Sequence, residues 1–406
     1  MAYKEVSVDE LRFGMFVAEL DRPWTETPFV FQGFVLKSDA QINAIKKYCK
    51  KVFVDPDKAE TPDGARSAAG SQAQGAQSAD GIRGNVVYRE MASVEAELPR
   101  ARTAYAESAT FIDELSQAVR AGGAIDGARA QQAVTQITAS IERNPDAMLL
   151  LVQIREKSVQ TLSRAVQVSV YMTVFGRFLQ LDHDRLQLLG TMGLLQDAGL
   201  LRLPAGLPEQ RGLLTRAEQE VFRTHIEYTV EILSKTAGLP AELPGLASLH
   251  HERFDGSGYP RGLKGNAIPQ VGAMAAIVDS FDQLSAPRPY GEQMSPSNAL
   301  NILYNNRGTI YHAALVEQFI QCIGVFPVGS VVELNSGEIG VVIAQNMVRR
   351  LQPRVMVVQA ANGDPIRPHK ILDLVKEPKV SPDEPYRIRR TLEHDKVKID
   401  PRELFL

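Results

Sequence analysis

Cysteine is nearly absent: the 406 residues hold two, Cys49 and Cys322, far apart in the chain. That excludes a disulfide framework and suits a reducing compartment. Tryptophan occurs once, at Trp24. A dominant charge is missing too. The 45 Lys and Arg nearly balance the 48 Asp and Glu, leaving a net charge of −3, which gives no support for a general nucleic-acid binder. No apolar run approaches the roughly 20 residues of a bilayer span; the best, VGAMAAIV at 271–278, is far too short. The start, MAYKEVSVDEL, has no apolar signal core. These absences predict a cytoplasmic chain with no membrane span and no DNA-binding role.

What is present suits two or three domains with enough apolar residues for a large core. The pattern predicts a mainly α protein with a small N-terminal α/β domain and a small C-terminal β module. In residues 1–57, VSVDELRFGMFVAEL begins strand-like and FVFQGFVL reads as a second strand. SDAQINAIKKYCKK reads as a helix capped by Ser38, and VFVDP as a last short strand. Trp24 follows Pro23 in a turn and reads as a structural anchor. Residues 58–87 include AETPDGARSAAGSQAQGAQSADG, small and polar with almost nothing to bury, and read as a flexible linker. Residues 88–144 read as a helical connector of two helices broken near Ala121-Gly122-Gly123. Residues 145–325 form the main helical domain. Residues 326–375 alternate like strands between Asn-Ser-Gly-Glu and Asn-Gly-Asp turns. Residues 376–406 read as a charged, loosely docked arm with a short strand or helix.

One stretch carries chemistry: LHHERFDGSGYPRGLKGNAIP, 249–269. Adjacent His250 and His251 precede a tight loop fixed by glycines and a proline. Imidazole is the commonest neutral metal ligand. Taken bare, such a pair reads more often as surface or capping histidines; the rigid loop beside it gives the site reading equal weight.

These words resemble the signature of the HD-GYP domain, a branch of the HD superfamily of metal phosphohydrolases whose usual activity is hydrolysis of cyclic di-GMP. The similarity runs on through Asp279 and Arg288-Pro289-Tyr290. The words VDELRFGMFVAELDRPW and PFVFQGF resemble a domain of unknown function often found ahead of HD-GYP domains, and the β module resembles an appendage seen on some of them. The resemblance implies that residues 145–325 are the HD-GYP domain. It implies metal ligands at Asp197, His225, His250, His251 and Asp279, with Asp197 also catalytic. It implies substrate or docking contacts at Gly258, Tyr259, Pro260, Lys264 and Arg288, and a divalent Fe or Mn.

The chain departs from that pattern at four positions. The family's helical Glu and His align with Gln160 and Arg164, the His of the HD dyad with Gln196, and the following Lys with Leu200. Gln is a poor ligand for a transition metal beside imidazole. Arg has no lone pair and keeps its charge. Beside a divalent cation at about 4 Å it would cost on the order of 8 kcal/mol at an effective dielectric near 20, so Arg164 is expected to stand in for a metal and pair with Asp197 or Asp279. The expectation is a signalling regulator that senses cyclic di-GMP or a related nucleotide, or docks signalling proteins through the GYP loop, with metal at reduced occupancy or none. An active phosphodiesterase and a pure scaffold are the alternatives, and a homodimer is left open.

Overall fold

The structure, a computed structural model, describes residues 4–21, 34–36, 39–55, 82–154, 160–208, 214–285, 294–346, 349 and 351–392. Trp24, Ser38, Arg288 and residues 58–81 of the expected linker lie outside them.

The chain divides into two compact units, 1–77 and 78–406. In the first, β1 (Lys4–Ser7), β2 (Phe16–Leu20), β3 (Phe34–Val35) and β4 (Lys51–Asp55) form an antiparallel sheet in the order β1-β4-β2-β3. The opening stretch does begin as a strand, and after a short 3-10 turn it supplies a second one. Helix α1 (Asp39–Tyr48) carries Asp39 in its first turn and Lys46 and Lys47 in its last, the arrangement a helix dipole favours. Its Ile45 is fully buried, as is Val52 on the neighbouring strand.

The second unit is mainly helical. Helices α2 (Val94–Arg120) and α3 (Gly127–Arg143) are capped by Ser93 and Asp126, each accepting a backbone N–H at the helix start. The break between them falls at residues 121–126, across Gly122 and Gly123. Then follow α4 (Pro145–Ile154), α5 (Gln160–Phe178) and α6 (His183–Leu195), with a 3-10 turn at Ala198–Arg202. Helices α7 (Arg216–Arg223), α8 (His225–Ser234) and α9 (Leu243–Ala247) lead into the GYP loop. Helices α10 (Gln270–Ser285), α11 (Pro296–Asn305) and α12 (Ala313–Ile323) complete the unit. Phe175, Phe281 and Phe319, all buried, meet edge to face at 5.1 and 5.3 Å between ring centres and tie α5, α10 and α12 together. Among the described residues, no helix is long and apolar enough to cross a membrane.

Two expectations about connections need correction. Residues 82–87, assigned to the linker, are docked: Gly84 N–H donates to Leu179 O at 2.8 Å and Val86 N–H to Gln180 O at 3.0 Å. The tail after 375 is not loose up to 392. Strands β5 (Val331–Leu334), β6 (Ile339–Ala344), β7 (Arg354–Gln359) and β8 (Pro365–Asp373) form an antiparallel sheet, and β11 (Ile388–Leu392) adds to its edge against β5. A small hairpin, β9 (Lys379–Ser381) and β10 (Glu384–Pro385), precedes it. Ile388 joins the core of Val332, Leu334, Val342, Val355, Val357 and Leu372. Arg389 and Arg390 bond to Glu333 at 3.2 and 2.7 Å, so the charged tail is held by apolar and ionic contacts together.

Candidate metal and nucleotide site

Helix α6 ends at Leu195, and Gln196 closes it with an N–H to Met192 O at 2.8 Å. The chain then turns through Asp197 into the 3-10 segment. Gly199 makes that turn possible: a Cβ there would lie 2.0 Å from His225 O, so only glycine lets it approach the start of α8. The Thr229 hydroxyl fastens the contact. It accepts Gly199 N–H at 2.9 Å and donates to Gln196 O at 3.2 Å. Asp197 is thereby set beside His225.

The GYP loop is fixed from inside by a carboxylate. Glu252 is fully buried and accepts Arg261 N–H at 2.9 Å and Leu263 N–H at 2.8 Å. At Gly258 a Cβ would fall 2.3 Å from Arg253 N, so this turn too requires glycine. Tyr259 consequently folds back and stacks on His251, with ring centres 4.6 Å apart and 25° between planes.

Asp197, His225, His250 and His251 converge, each offering a ligand atom within 4.8 Å of the others. Asp197 Oδ1 lies 3.3 Å from His250 Nε2 and 3.8 Å from His225 Nε2. Carbonyls only accept, so His225 Nδ1–H donates to Phe222 O at 2.6 Å and His250 Nδ1–H to Ala247 O at 2.7 Å. That bond fixes the tautomer and leaves each Nε2 lone pair facing the cluster, where both are buried without a hydrogen-bond partner. A metal-binding imidazole is held this way. Burial pushes the His225 imidazole down to about 4, against the pull of Asp197, which keeps it in the neutral form a metal needs. Burial, with His250 and His225 nearby, also holds His251 well below its ordinary value. Burial works against a charge on His250 as well, but Asp197 outweighs it and raises that group. The donor set therefore fits one divalent ion.

The other half of the pocket is filled by a guanidinium. Arg164, on α5, donates from Nε to Asp282 Oδ2 at 2.9 Å, from Nη1 to Asp197 Oδ2 at 2.9 Å, and from Nη2 to Asp279 Oδ1. Its side chain is 13% exposed. Burial opposes its charge, but Asp197, Asp279 and Asp282 overcome that penalty and raise the group further. Burial opposes ionisation of Asp197 likewise, and Arg164 with His250 and His225 nonetheless holds its carboxyl well below the usual range.

Asp279 stands apart from the expected ligands. Its Oδ1 is taken by Arg164 and its Oδ2 accepts Gln283 Nε2–H at 2.8 Å, and it is not in the group able to hold an ion. His251 Nδ1 lies 3.7 Å from that Oδ2. Gln196 is fully buried, and neither atom of its amide has a hydrogen-bond partner. Leu200 packs with Leu203 and Leu207 in an apolar cluster. It also lines a cavity of about 40 Å³ bordered by Arg164, Asp197 and α2 residues Ile112 and Leu115. Lys264 is exposed on the loop, and Pro260 follows Tyr259 in a cis peptide bond. Gln160 opens α5.

Sequence reasoning missed three residues. Asp282 lies one turn after Asp279 on a helix with no other charged residue, a spacing that puts both on one face. Glu252, next to the histidine pair, clamps the loop. Thr229, one turn after His225, fastens the Asp197 turn; as one of several polar residues on α8 it carried no signal.

Comparison with known proteins gives a consistent picture. The model of a domain of unknown function, DUF3391, matches residues 3–130, and that of the HD domain matches residues 150–315. The cyclic di-GMP phosphodiesterase PA4108 of Pseudomonas aeruginosa is 30% identical over 91% of this chain and 89% of its own. The cyclic di-GMP phosphodiesterase response regulator RpfG of Xanthomonas campestris is 30% identical over 47% of this chain and 54% of its own. The 3'3'-cGAMP-specific phosphodiesterase 3 of Vibrio cholerae is 36% identical over 38% of this chain and 33% of its own.

Proposed function

Because the chain belongs to the HD-GYP family, we propose that it acts in cyclic dinucleotide signalling as a nucleotide-sensing or protein-docking regulator with little or no hydrolysis. One observation carries this reading: the Arg164 guanidinium lies among Asp197, Asp279 and Asp282, where a two-metal site would need a second cation. Two ions stabilise both the attacking and the leaving oxygen of a displaced phosphate. Arg164 supplies charge, but it has no empty orbital to bind water and lower its pKa. The orphaned amide of Gln196 and the apolar packing of Leu200 support the same reading, since the first offers only a poor metal ligand and the second no phosphate contact.

The surviving group would hold one divalent ion, Fe or Mn, through Asp197, His225, His250 and His251. When bound, that ion supplies a Lewis acid for a phosphate oxygen. The chain's own residues do the rest: the Phe222 and Ala247 carbonyls orient two imidazoles, and the Glu252 clamp sets Tyr259 over His251. The substrates in the relatives' names, cyclic di-GMP and 3'3'-cGAMP, support a cyclic dinucleotide as ligand. The loop around Gly258, Tyr259 and Pro260, with Lys264 and Arg288, is the proposed contact for nucleotide or a signalling protein. A second reading, slow hydrolysis with a single ion, draws on the free Nε2 atoms of His225 and His250.

The test measures cyclic di-GMP binding by calorimetry and its turnover with added Mn²⁺ or Fe²⁺ on the same purified protein. Binding without turnover is expected. Robust metal-dependent turnover that Asp197→Ala abolishes would replace the regulator with the phosphodiesterase.

A further inference from the structure

Arg223 is the last residue of α7, two positions before His225. It is exposed, while Tyr259 beneath it is half-buried. Its guanidinium lies 4.7 Å from the centre of the Tyr259 ring. The same ring stacks on His251 of the metal group. Arg223, Tyr259 and His251 thus form a layered column running out of the pocket. The α7–α8 junction supplies the outer layer and the GYP loop the middle one. Nothing in the fold neutralises the outer layer: among the described residues, Arg223 makes no ion pair and no side-chain hydrogen bond.

Arg202, on the neighbouring turn, is paired with Glu231 at 2.9 Å, and Arg164 inside the pocket holds three carboxylates. An aromatic face fixes the plane of a guanidinium while leaving its N–H edge outward and available. A fixed fork of donors recognises a matched pair of acceptors, such as two phosphate oxygens or the O6 and N7 of guanine. Cyclic di-GMP carries both, and one with a phosphate at the metal group would extend along this column.

The geometry points to Arg223 as an anchor for the nucleotide: its stacked guanidinium takes a pair of acceptors on the part of the ligand that projects from the pocket. This assignment rests on the nucleotide-binding reading above and deepens it. Tyr259 is then a platform, and its hydroxyl stays protonated because burial and the nearby Asp279 and Asp197 raise its pKa. The feature is separate from Lys264, which lies over no aromatic ring among the described residues.

Calorimetric titration of wild type, Arg223→Ala and Arg223→Lys with cyclic di-GMP and with cyclic di-AMP, at one salt concentration, tests it. The two ligands share their phosphates and differ in the base edge. Arg223→Ala is expected to weaken cyclic di-GMP binding about tenfold or more, and Arg223→Lys to recover part of that, since a point charge lacks the fork. Equal weakening for both ligands identifies phosphate as the acceptor, and a loss confined to cyclic di-GMP identifies the guanine edge; either supports the anchor. Metal content and thermal unfolding of the variants should match wild type. Unchanged affinity in Arg223→Ala, with wild type binding normally, overturns the anchor alone. A wild type that binds neither ligand overturns the nucleotide reading and the anchor with it.

Discussion

A guanidinium presents its donors in one plane, and at Arg164 three of its nitrogens each face a different aspartate. Removing that side chain leaves Asp279 and Asp282, both buried, without the cation that now pairs with them. An uncompensated buried charge is costly. Arg164→Ala should therefore lose about 3 kcal/mol of stability, and added Mn²⁺ should return part of it, because a ligand that binds only the folded state stabilises that state. Thermal unfolding with and without metal checks this. A variant that melts like wild type and ignores metal would remove Arg164 from the electrostatic account. Gln196 gives the opposite case. Its amide is buried with no partner, so Gln196→Leu should gain about 1 kcal/mol in urea unfolding; a loss of stability would show that the amide is satisfied in solution. Both positions could be read in the sequence because flanking residues fixed their register: Gly193, Gly199 and Pro204 for Gln196, and the apolar frame of α5 for Arg164. Asp282 was not legible, since a carboxylate one turn from another reads first as a second surface charge.

Elements position these side chains through a few close approaches. Gly199 sets the 3-10 turn on α8, and Glu252 sets the loop under Tyr259. The loop was readable from its glycines and proline, whose backbone demands are local. The docking of β11 on the sheet edge was not, because within IRRTL only Ile388 is buried, and its ionic partner Glu333 lies far back in the chain.

Helix α4 meets the C-terminal sheet through a carboxylate. Asp146, buried, accepts the Gln345 N–H at 2.9 Å. Burial pushes its carboxyl up to about 7, helped by Glu90 and opposed by that N–H and by Arg177 and Arg354. The unfolded chain releases this proton near its ordinary value of 3.8, whereas the folded state keeps it until about 7. Between those values the folded state binds more protons, so stability falls as pH rises through that window and is level above it. The expected loss is up to about 4 kcal/mol. Asp146→Asn keeps an acceptor for Gln345 and cannot ionise, so it should remove this part of the slope between pH 5 and pH 8 in urea unfolding. Parallel slopes in the two proteins would show that Asp146 does not titrate in that window.

Over the whole molecule, the likeness to a cyclic di-GMP phosphodiesterase spans 91% of the chain, while the proposed regulator reading rests on a few side chains around one pocket. The family was legible because its loop is long and specific. The state of the pocket needed coordinates, because it depends on three aspartates drawn from α10 and the turn after α6 onto one arginine of α5. The central claim is that this arginine occupies the place of a second cation. Metal analysis of the purified full chain after saturation with Mn²⁺ or Fe²⁺ tests it most directly. The account predicts no more than one ion per chain, held by Asp197 and the three histidines; two or more ions per chain would contradict it.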